Sequence, residues 1–349
     1  MKKSRLLLVF IVSILCIASL TACTRAEQYF VYGTTLDIQS VGIKSKKTVD
    51  SIYAYIASLE NILSPTLKGS DINAINNAKA GEAVSCRETT MQIMKVAQSV
   101  FEASDGAYDP SVYPLVRLWK FSGDLYSEVG DFNPPSDEDI AAAKSLVGLD
   151  RAFSIDYENA TITKLIDGAM LDFGGVAKGY AVQQSLALAS DKTLVNLGGN
   201  IGAVKGSFNV GIANPTRVGR VFITPYFAKF RLLDGECVST SGDYERYYVS
   251  KVAENDRVYH HIINPFTGCP ADTSTSNGVV SCSVVTKDGA LGDAVATAVV
   301  VLGIDKGVEL LQKLGLKGFL IDGEMNAHTV GGFDVELKTS TFIVSEDVN

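Results

Sequence analysis

LDFGGVAKGYAV, residues 171–182, opens on an apolar residue and one carboxylate, Asp172, and runs through two adjacent glycines into a helical pattern. Val176, Tyr180 and Ala181 share one side of the predicted helix. Gly174 and Gly175 carry no Cβ, so the backbone at a strand-to-helix turn can approach a ligand closely. The new helix offers free N–H groups and a positive dipole end, both suited to an anion. Lys178 adds a cation within the first turn. The same letters also describe a tight turn before an ordinary amphipathic helix. Gly179 follows Lys178 where a Walker A loop needs Ser or Thr, and no GxGxxG is present. The stretch alone therefore leaves an anion site and a simple turn both open.

Outward from this point the two halves of the chain differ. Towards the N-terminus, YFVYGTTLDIQ (residues 29–39) alternates and predicts a strand with a turn at Gly33. Val49, Ile52, Ile56, Leu59 and Leu63 then recur at helical spacing, and a second amphipathic helix covers residues 88–104, with Met91, Met94, Val100 and Phe101 inward. Between them residues 63–76 read as a polar loop. Residues 105–121, rich in aromatics and proline, read as a packed loop. Ser136 is placed to cap a short helix with Asp139 at N3. From about residue 150 strands dominate: residues 193–197 before Gly198-Gly199-Asn200, then 208–213, 237–249 and 278–286. Helices over about 288–302 and 306–315 and short closing strands end the chain. Helices early and strands late give an α+β class with a mainly antiparallel sheet flanked by helices. A doubly wound order is not supported.

The chain has 349 residues, 46% hydrophobic and 20% charged, which describes a globular protein. Its N-terminus has a basic start (Lys2, Lys3, Arg5), an apolar run from Leu6 to about Leu20, and small residues before Cys23. This pattern is a secretory signal rather than a fold element. About 15 apolar residues fall short of the roughly 20 a span requires. Leu20-Thr21-Ala22-Cys23 resembles the bacterial lipobox, in which the cysteine is acylated and becomes the first residue. The expected division is a signal over residues 1–22 and one domain over 23–349. Without the signal, 28 basic residues face 39 acidic ones, a formal net of −11. No basic face for nucleic acid is suggested. Cys86, Cys237, Cys269 and Cys282 form no CxxC arrangement, so a zinc site is not indicated.

Asp293 and Thr297 in GDAVATA lie at i, i+4 and share one helix face among Ala and Val. A carboxylate there is costly to bury unless it is paired or binds a cation. A carboxylate, a hydroxyl and a backbone carbonyl such as that of Gly175 are hard oxygen ligands suited to Mg2+ or Ca2+. The other reading has Asp293 capping or ion-pairing and Thr297 bonding its i−4 carbonyl. His260 and His261 are adjacent, so in a strand only one can face a given site. Each is either an ordinary core or surface histidine or a general base. Asp109 before Pro110 reads as a turn residue or a ligand contact. Ser241 in STSG lacks a G-x-S-x-G elbow and reads as a ligand-lining or structural turn.

Seven stretches in order resemble the ApbE family of FAD:protein FMN transferases: Gly33-Thr34, GAYDPSVYPLVRLWKF, LDFGGVAKGYAV, NLGGN, VSTSGDYERYY, HHIINPFTG and GDAVATA. The resemblance runs from about residue 30 to 345. It implies a bilobed fold of T-fold type with FAD in the cleft between lobes. It implies a Mg2+ site at the Gly175 carbonyl, Asp293 and Thr297, and FAD contacts at Tyr32, Thr66, Ala107, Tyr108, Asp109, Asp172, Lys178, His261 and Ile262. The implied reaction moves FMN from FAD to a Ser or Thr hydroxyl of a target flavoprotein and releases AMP, with His261 or Asp172 handling the proton. The implied acceptors are flavoprotein subunits of membrane redox complexes. The implied place is the periplasmic face of the bacterial inner membrane, held by lipid on Cys23.

Two positions depart from the family pattern. Tyr32 stands where Met is usual before Gly-Thr, and Thr66 stands where an aromatic is usual. Losing one stacking surface costs on the order of 1–3 kcal/mol, by analogy with bases on aromatics. Hydrolysis of FAD to FMN and AMP is therefore an alternative. A lipoprotein that only binds flavin is another, against which the retained Asp293 and Thr297 argue.

Overall fold

The computed structural model describes residues 24–122, 132–217, 224–250, 257–338 and 344–345. The expected signal over residues 1–22 and the acylated Cys23 lie outside the described residues. Among the described residues no helix is long and apolar enough to cross a membrane. In chain order the elements are β1 (Thr24–Val31), β2 (Thr34–Val41), α1 (Ser45–Leu63), α2 (Asp71–Asn77), β3 (Ala83–Ser85), α3 (Glu88–Ala103), α4 (Tyr113–Leu118), α5 (Asp137–Lys144), α6 (Leu149–Ala152), β4 (Phe153–Asp156), β5 (Thr161–Lys164) and α7 (Ala177–Leu186). There follow β6 (Lys192–Leu197), β7 (Asn200–Val204), β8 (Phe208–Ala213), β9 (Tyr226–Leu232), β10 (Cys237–Gly242), β11 (Tyr247–Ser250), β12 (Arg257–His260), β13 (Val279–Thr286), α8 (Gly289–Lys313), β14 (Lys317–Asp322), β15 (Ala327–Val330), β16 (Glu336–Leu337) and β17 (Val344–Ser345).

A nine-stranded sheet in the order β1-β2-β6-β7-β10-β13-β14-β15-β17 is antiparallel except for its last pair. This is the α+β, mainly antiparallel architecture expected from the sequence. Its middle strands are buried on both faces, as seven of the eight β13 residues, its two serines included, are buried. Cys282 and Val284 face the helices α1, α3, α7 and α8, while Val280 and Val285 face a small sheet of β8, β9 and β16. A third apolar cluster surrounds Trp119, where α4 and α5 meet the β11–β12 hairpin through Tyr248. The Trp119 indole N–H donates to the Gly268 carbonyl at 2.8 Å.

Two hairpin tips lie together at one end of the sheet. Tyr32 (φ 54) and Gly33 (φ 66) form the two-residue turn between β1 and β2, and Gly198 (φ 53) and Gly199 (φ 85) do the same between β6 and β7. Positive φ at both central residues is the turn whose twist matches paired strands. A Cβ on Gly198 would press against Thr34 Cγ2 at 2.7 Å, so the tips touch.

Helix limits agree with the periodicity, and α1 stops where Ser64 precedes Pro65, a residue pair that disfavours helix. The expected cap is present, with Ser136 Oγ accepting from the Asp139 N–H at 3.2 Å and donating to the Asp139 carboxylate at 2.6 Å. Gly303 (φ 82) breaks α8, dividing it into the two helices expected. Three expectations change. Residues 63–76 are not all loop, because Ser70 caps α2 by accepting from the Asn73 N–H at 3.0 Å. Residues 105–121 contain α4, started by Pro114 in its first turn. No strand precedes Gly174-Gly175, only a single bridge between Val112 and Met170.

Candidate functional site

Helices α7 and α8 cross where neither has a side chain in the way. A Cβ on Gly179 would collide with the Gly289 carbonyl, and one on Gly289 with the Gly179 carbonyl. That approach puts the Gly179 N–H, free because it begins a helix, 3.0 Å from Asp293 Oδ2 as a donor. Asp293 is 3% exposed. Lys178 Nζ stands 3.9 Å from the same oxygen and donates to the Gly174 carbonyl at 2.5 Å. One turn further along α8, the Thr297 hydroxyl donates to the Asp293 carbonyl at 3.2 Å and lies 3.1 Å from Ser241 Oγ on β10. Gly175 fits against both neighbours: a Cβ there would sit 3.1 Å from Thr297 Oγ1 and 3.2 Å from Tyr108 Cε2.

Asp293, Thr297 and the Gly175 carbonyl thus make an all-oxygen set, the chemistry that a hard cation such as Mg2+ takes. The set suits that ion, since a buried carboxylate and a hydroxyl one helical turn apart lie beside the glycine backbone at Gly175. Among the described residues no group of three or more His, Cys, Asp and Glu side chains gathers as ligands. A cation held here would need further ligands, which water or a phosphate could supply.

The opposite wall comes from the Leu171 stretch and the β12 end. Asn76 at the end of α2 clamps Leu171 twice, donating to its carbonyl at 2.9 Å and accepting its N–H at 2.7 Å. Asp172 follows, its N–H donating to the Pro110 carbonyl at 2.8 Å and its Oδ1 accepting from the Gly174 N–H at 3.0 Å. Burial raises the Asp172 pKa, and the Gly174 bond, Lys178 and Arg246 pull against that rise. Tyr108 is buried, its hydroxyl unpartnered among the described residues, and its pKa is raised by burial and by Asp293, Asp172 and Asp109. Asp109 accepts from the Ser111 N–H at 2.8 Å and its hydroxyl at 2.6 Å, the local turn considered from the sequence.

His261 stands beyond β12 and is half-buried. Its Nδ1 is 3.3 Å from the Arg246 carbonyl. A carbonyl only accepts, so Nδ1 carries the proton and Nε2 keeps its lone pair. Burial first, then the charges of Arg246, His260 and Lys178, push its pKa down to about 3. His260 points the other way: its Nε2 donates to the Ala271 carbonyl at 2.8 Å, deep in the structure. The guanidinium of Arg246 lies 3.5 Å from where a Cβ on Gly33 would be, which links this wall to the β1–β2 tip.

Of the residues singled out in the sequence, Tyr108, Asp172, Gly175, Lys178, Asp293 and Thr297 come together, and His261 lies close enough to feel Lys178 and Arg246, as Asp172 does. Ala107, Asp109 and Ile262 are buried in segments next to them, and Tyr32 lies at the tip with its hydroxyl buried and unpartnered among the described residues. Thr66 sits on an exposed turn, its hydroxyl 3.2 Å from Ser64 Oγ, with no bond to the cluster among the described residues. Asn76 and Arg246 were not assigned to the site from the sequence, whereas the Ser241 turn reads there as ligand-lining or structural. Ser241 and Arg246 stood in the STSGDYERYY stretch, whereas nothing local distinguishes Asn76.

A profile described as the ApbE family matches residues 32–320. The chain belongs to the ApbE family. An ApbE relative from Haemophilus influenzae, named FAD:protein FMN transferase, is 27% identical over 332 residues, covering 89% of this chain and 91% of its own. Another of that name from Treponema pallidum is 32% identical over 285 residues, covering 76% and 74%. The crystal structure of the ApbE protein from Thermotoga maritima superposes with a TM-score of 0.72 at 27% identity, covering 90% of this chain and 96% of that one.

Proposed function

We propose that the protein transfers the FMN half of FAD to a Ser or Thr hydroxyl of a target flavoprotein and releases AMP. The observation that carries this reading is the convergence of Asp293, Thr297 and Gly175 with Lys178, 3.9 Å from Asp293, and with Asp172 and His261, both of which feel the Lys178 charge. A bound Mg2+ held by Asp293, Thr297 and the Gly175 carbonyl supplies neutralisation of diphosphate charge, the term that phosphoryl chemistry most needs. The acceptor oxygen forms a bond to the FMN phosphorus as the phosphorus–oxygen bond to AMP breaks. The proton of the hydroxyl passes to Asp172 or to His261 Nε2, which burial keeps neutral and the Nδ1 bond leaves with its lone pair. Lys178 faces the departing phosphate, and Asp172 orients the Gly174-Gly175 backbone. In-line placement of the two oxygens is the main contribution of the chain.

The same reading makes the protein an exported, lipid-anchored enzyme, held through acylated Cys23 on the periplasmic face of the inner membrane. Its acceptors are flavoprotein subunits of membrane redox complexes. One observation favours hydrolysis as a second activity: exposed Thr66 offers no flat surface to the flavin, so water competes with the acceptor hydroxyl.

The test incubates the protein with FAD, Mg2+ and an acceptor bearing a Ser/Thr-Gly-Ala-Thr-like segment. AMP release together with fluorescent flavin on the acceptor in a denaturing gel supports transfer. AMP and free FMN with an unlabelled acceptor makes the protein a hydrolase, and bound FAD without either product makes it a carrier.

A further inference from the structure

At one place the surface runs against the charge of the whole chain. The net formal charge is −8, yet Lys44, Lys46 and Lys47 fall within four residues, with no acid until Asp50. All three are exposed on the turn from β2 into α1. Beside them Ile43 is 92% exposed, the most exposed large apolar side chain described, and Val41 is exposed too. Ile43, Lys44, Lys46, Lys47 and Asp50 line one shallow groove. The nearest acids are engaged: Asp50 accepts from Lys46 Nζ at 2.6 Å, and Asp191 packs over Gly42 and accepts the Lys44 N–H at 2.7 Å. Exposed Lys192 pairs in register with Val41 and continues the basic edge, with Leu188 exposed in the turn before it.

A single exposed isoleucine means nothing by itself. Its position does. In the β1–β2 ladder Thr24 pairs with Val41, so the described chain begins beside this patch. The residues just before it are the apolar run and Cys23.

We propose that this end of the sheet rests on an anionic phospholipid bilayer, with Ile43 at the acyl boundary and Lys44, Lys46 and Lys47 among the phosphates. The proposal rests on the anchoring reading above. An apolar contact plus basic residues supplies an attachment to the bilayer beyond the lipid on Cys23. The eight-residue β1 runs from Thr24 to the tip at Tyr32-Gly33. At roughly 3.3 Å per residue this places the tip, against which Arg246 of the site packs, about 25 Å from the lipid.

The test uses the full-length protein carrying Ile43→Trp, purified in detergent and reconstituted into vesicles of brominated phosphatidylglycerol or brominated phosphatidylcholine. The expected result is a blue-shifted emission at least halved by the brominated anionic lipid. Trp119, 2% exposed, gives the unquenched reference in the unsubstituted protein. Lys44→Glu, Lys46→Glu and Lys47→Glu together in the same background are expected to restore water-like emission while the protein still sediments with vesicles. Sedimenting protein with unquenched emission overturns the proposal, as does equal quenching by the two lipids or quenching that survives the lysine changes. Protein left in the supernatant overturns the anchor and this proposal with it. FMN transfer to a soluble acceptor, expected unchanged in these variants, reports separately on the site.

Discussion

The backbone N–H of Gly179 donates to Asp293 Oδ2 at 3.0 Å across 114 residues of chain, tying the starts of two helices into one corner. The corner exists because Gly179 and Gly289 let the helices touch. Gly179→Ala is expected to destabilise the fold by about 1–3 kcal/mol, the usual range for overpacking. A lower denaturant midpoint with an unchanged slope checks it; an unchanged midpoint contradicts the close crossing.

Asp293→Asn keeps an oxygen for the Gly179 N–H and removes the charge. The folded state is expected to survive while Mg2+-dependent AMP release falls on the order of 100-fold or more. Asp293→Ala also strands a buried donor, adding about 1–3 kcal/mol of destabilisation. Parallel melting curves and AMP assays separate the two effects. Equal activity in Asp293→Asn and the parent would remove the metal assignment.

His261 gives a pH signature. Its folded pKa of about 3 lies below the ordinary 6.5, so between those values the unfolded chain binds the extra proton. Its effect on stability is therefore neutral above about pH 6.5 and increasingly unfavourable as pH falls towards 3. The loss reaches roughly 3 kcal/mol near pH 4, and Asp109 and Asp172, whose pKa values burial raises, work in the opposite direction. Subtracting the His261→Gln curve from that of the parent isolates the histidine. The difference should be flat above pH 7 and grow below 6.5. The same variant is expected to lose 10²- to 10⁴-fold in transfer rate if His261 takes the proton.

Asn76→Asp keeps the acceptor for the Leu171 N–H but loses the donor to its carbonyl. The expected cost is about 1–3 kcal/mol, together with a higher KM for FAD, because Asp172 and the glycines hang on that clamp. Faster hydrogen exchange across residues 171–176 is the direct readout. An unchanged exchange rate there would show that the Pro110 bond alone positions the stretch.

Much of this was legible in the sequence, where the physics is local. The apolar stripe of α1, the Gly33 turn and the Asp288 start of α8 follow from neighbouring residues. Helix α2 was not legible, since it is short, offers only Ile72 and Ile75 as buried apolar residues, and depends on packing. For Thr297 and Asp109 the structural reading holds, as both make the local bonds considered, and neither bond removes the oxygen from the site. Asp293 also takes the capping and ion-pairing roles considered for it, with the Gly179 N–H at 3.0 Å and Lys178 at 3.9 Å, although no spacing rule names those partners. Asn76, Arg246 and Ser241 gain their roles only from contacts between distant segments.

The wide separation of Gly179 from Asp293 also sets an order in time. The corner cannot close until Asp293 and Thr297 have both left the ribosome and, for an exported chain, crossed the translocon. A chain threaded through in extended form has no pocket in which to carry a nucleotide. For an exported chain, flavin would then have to reach the protein in the compartment where it folds.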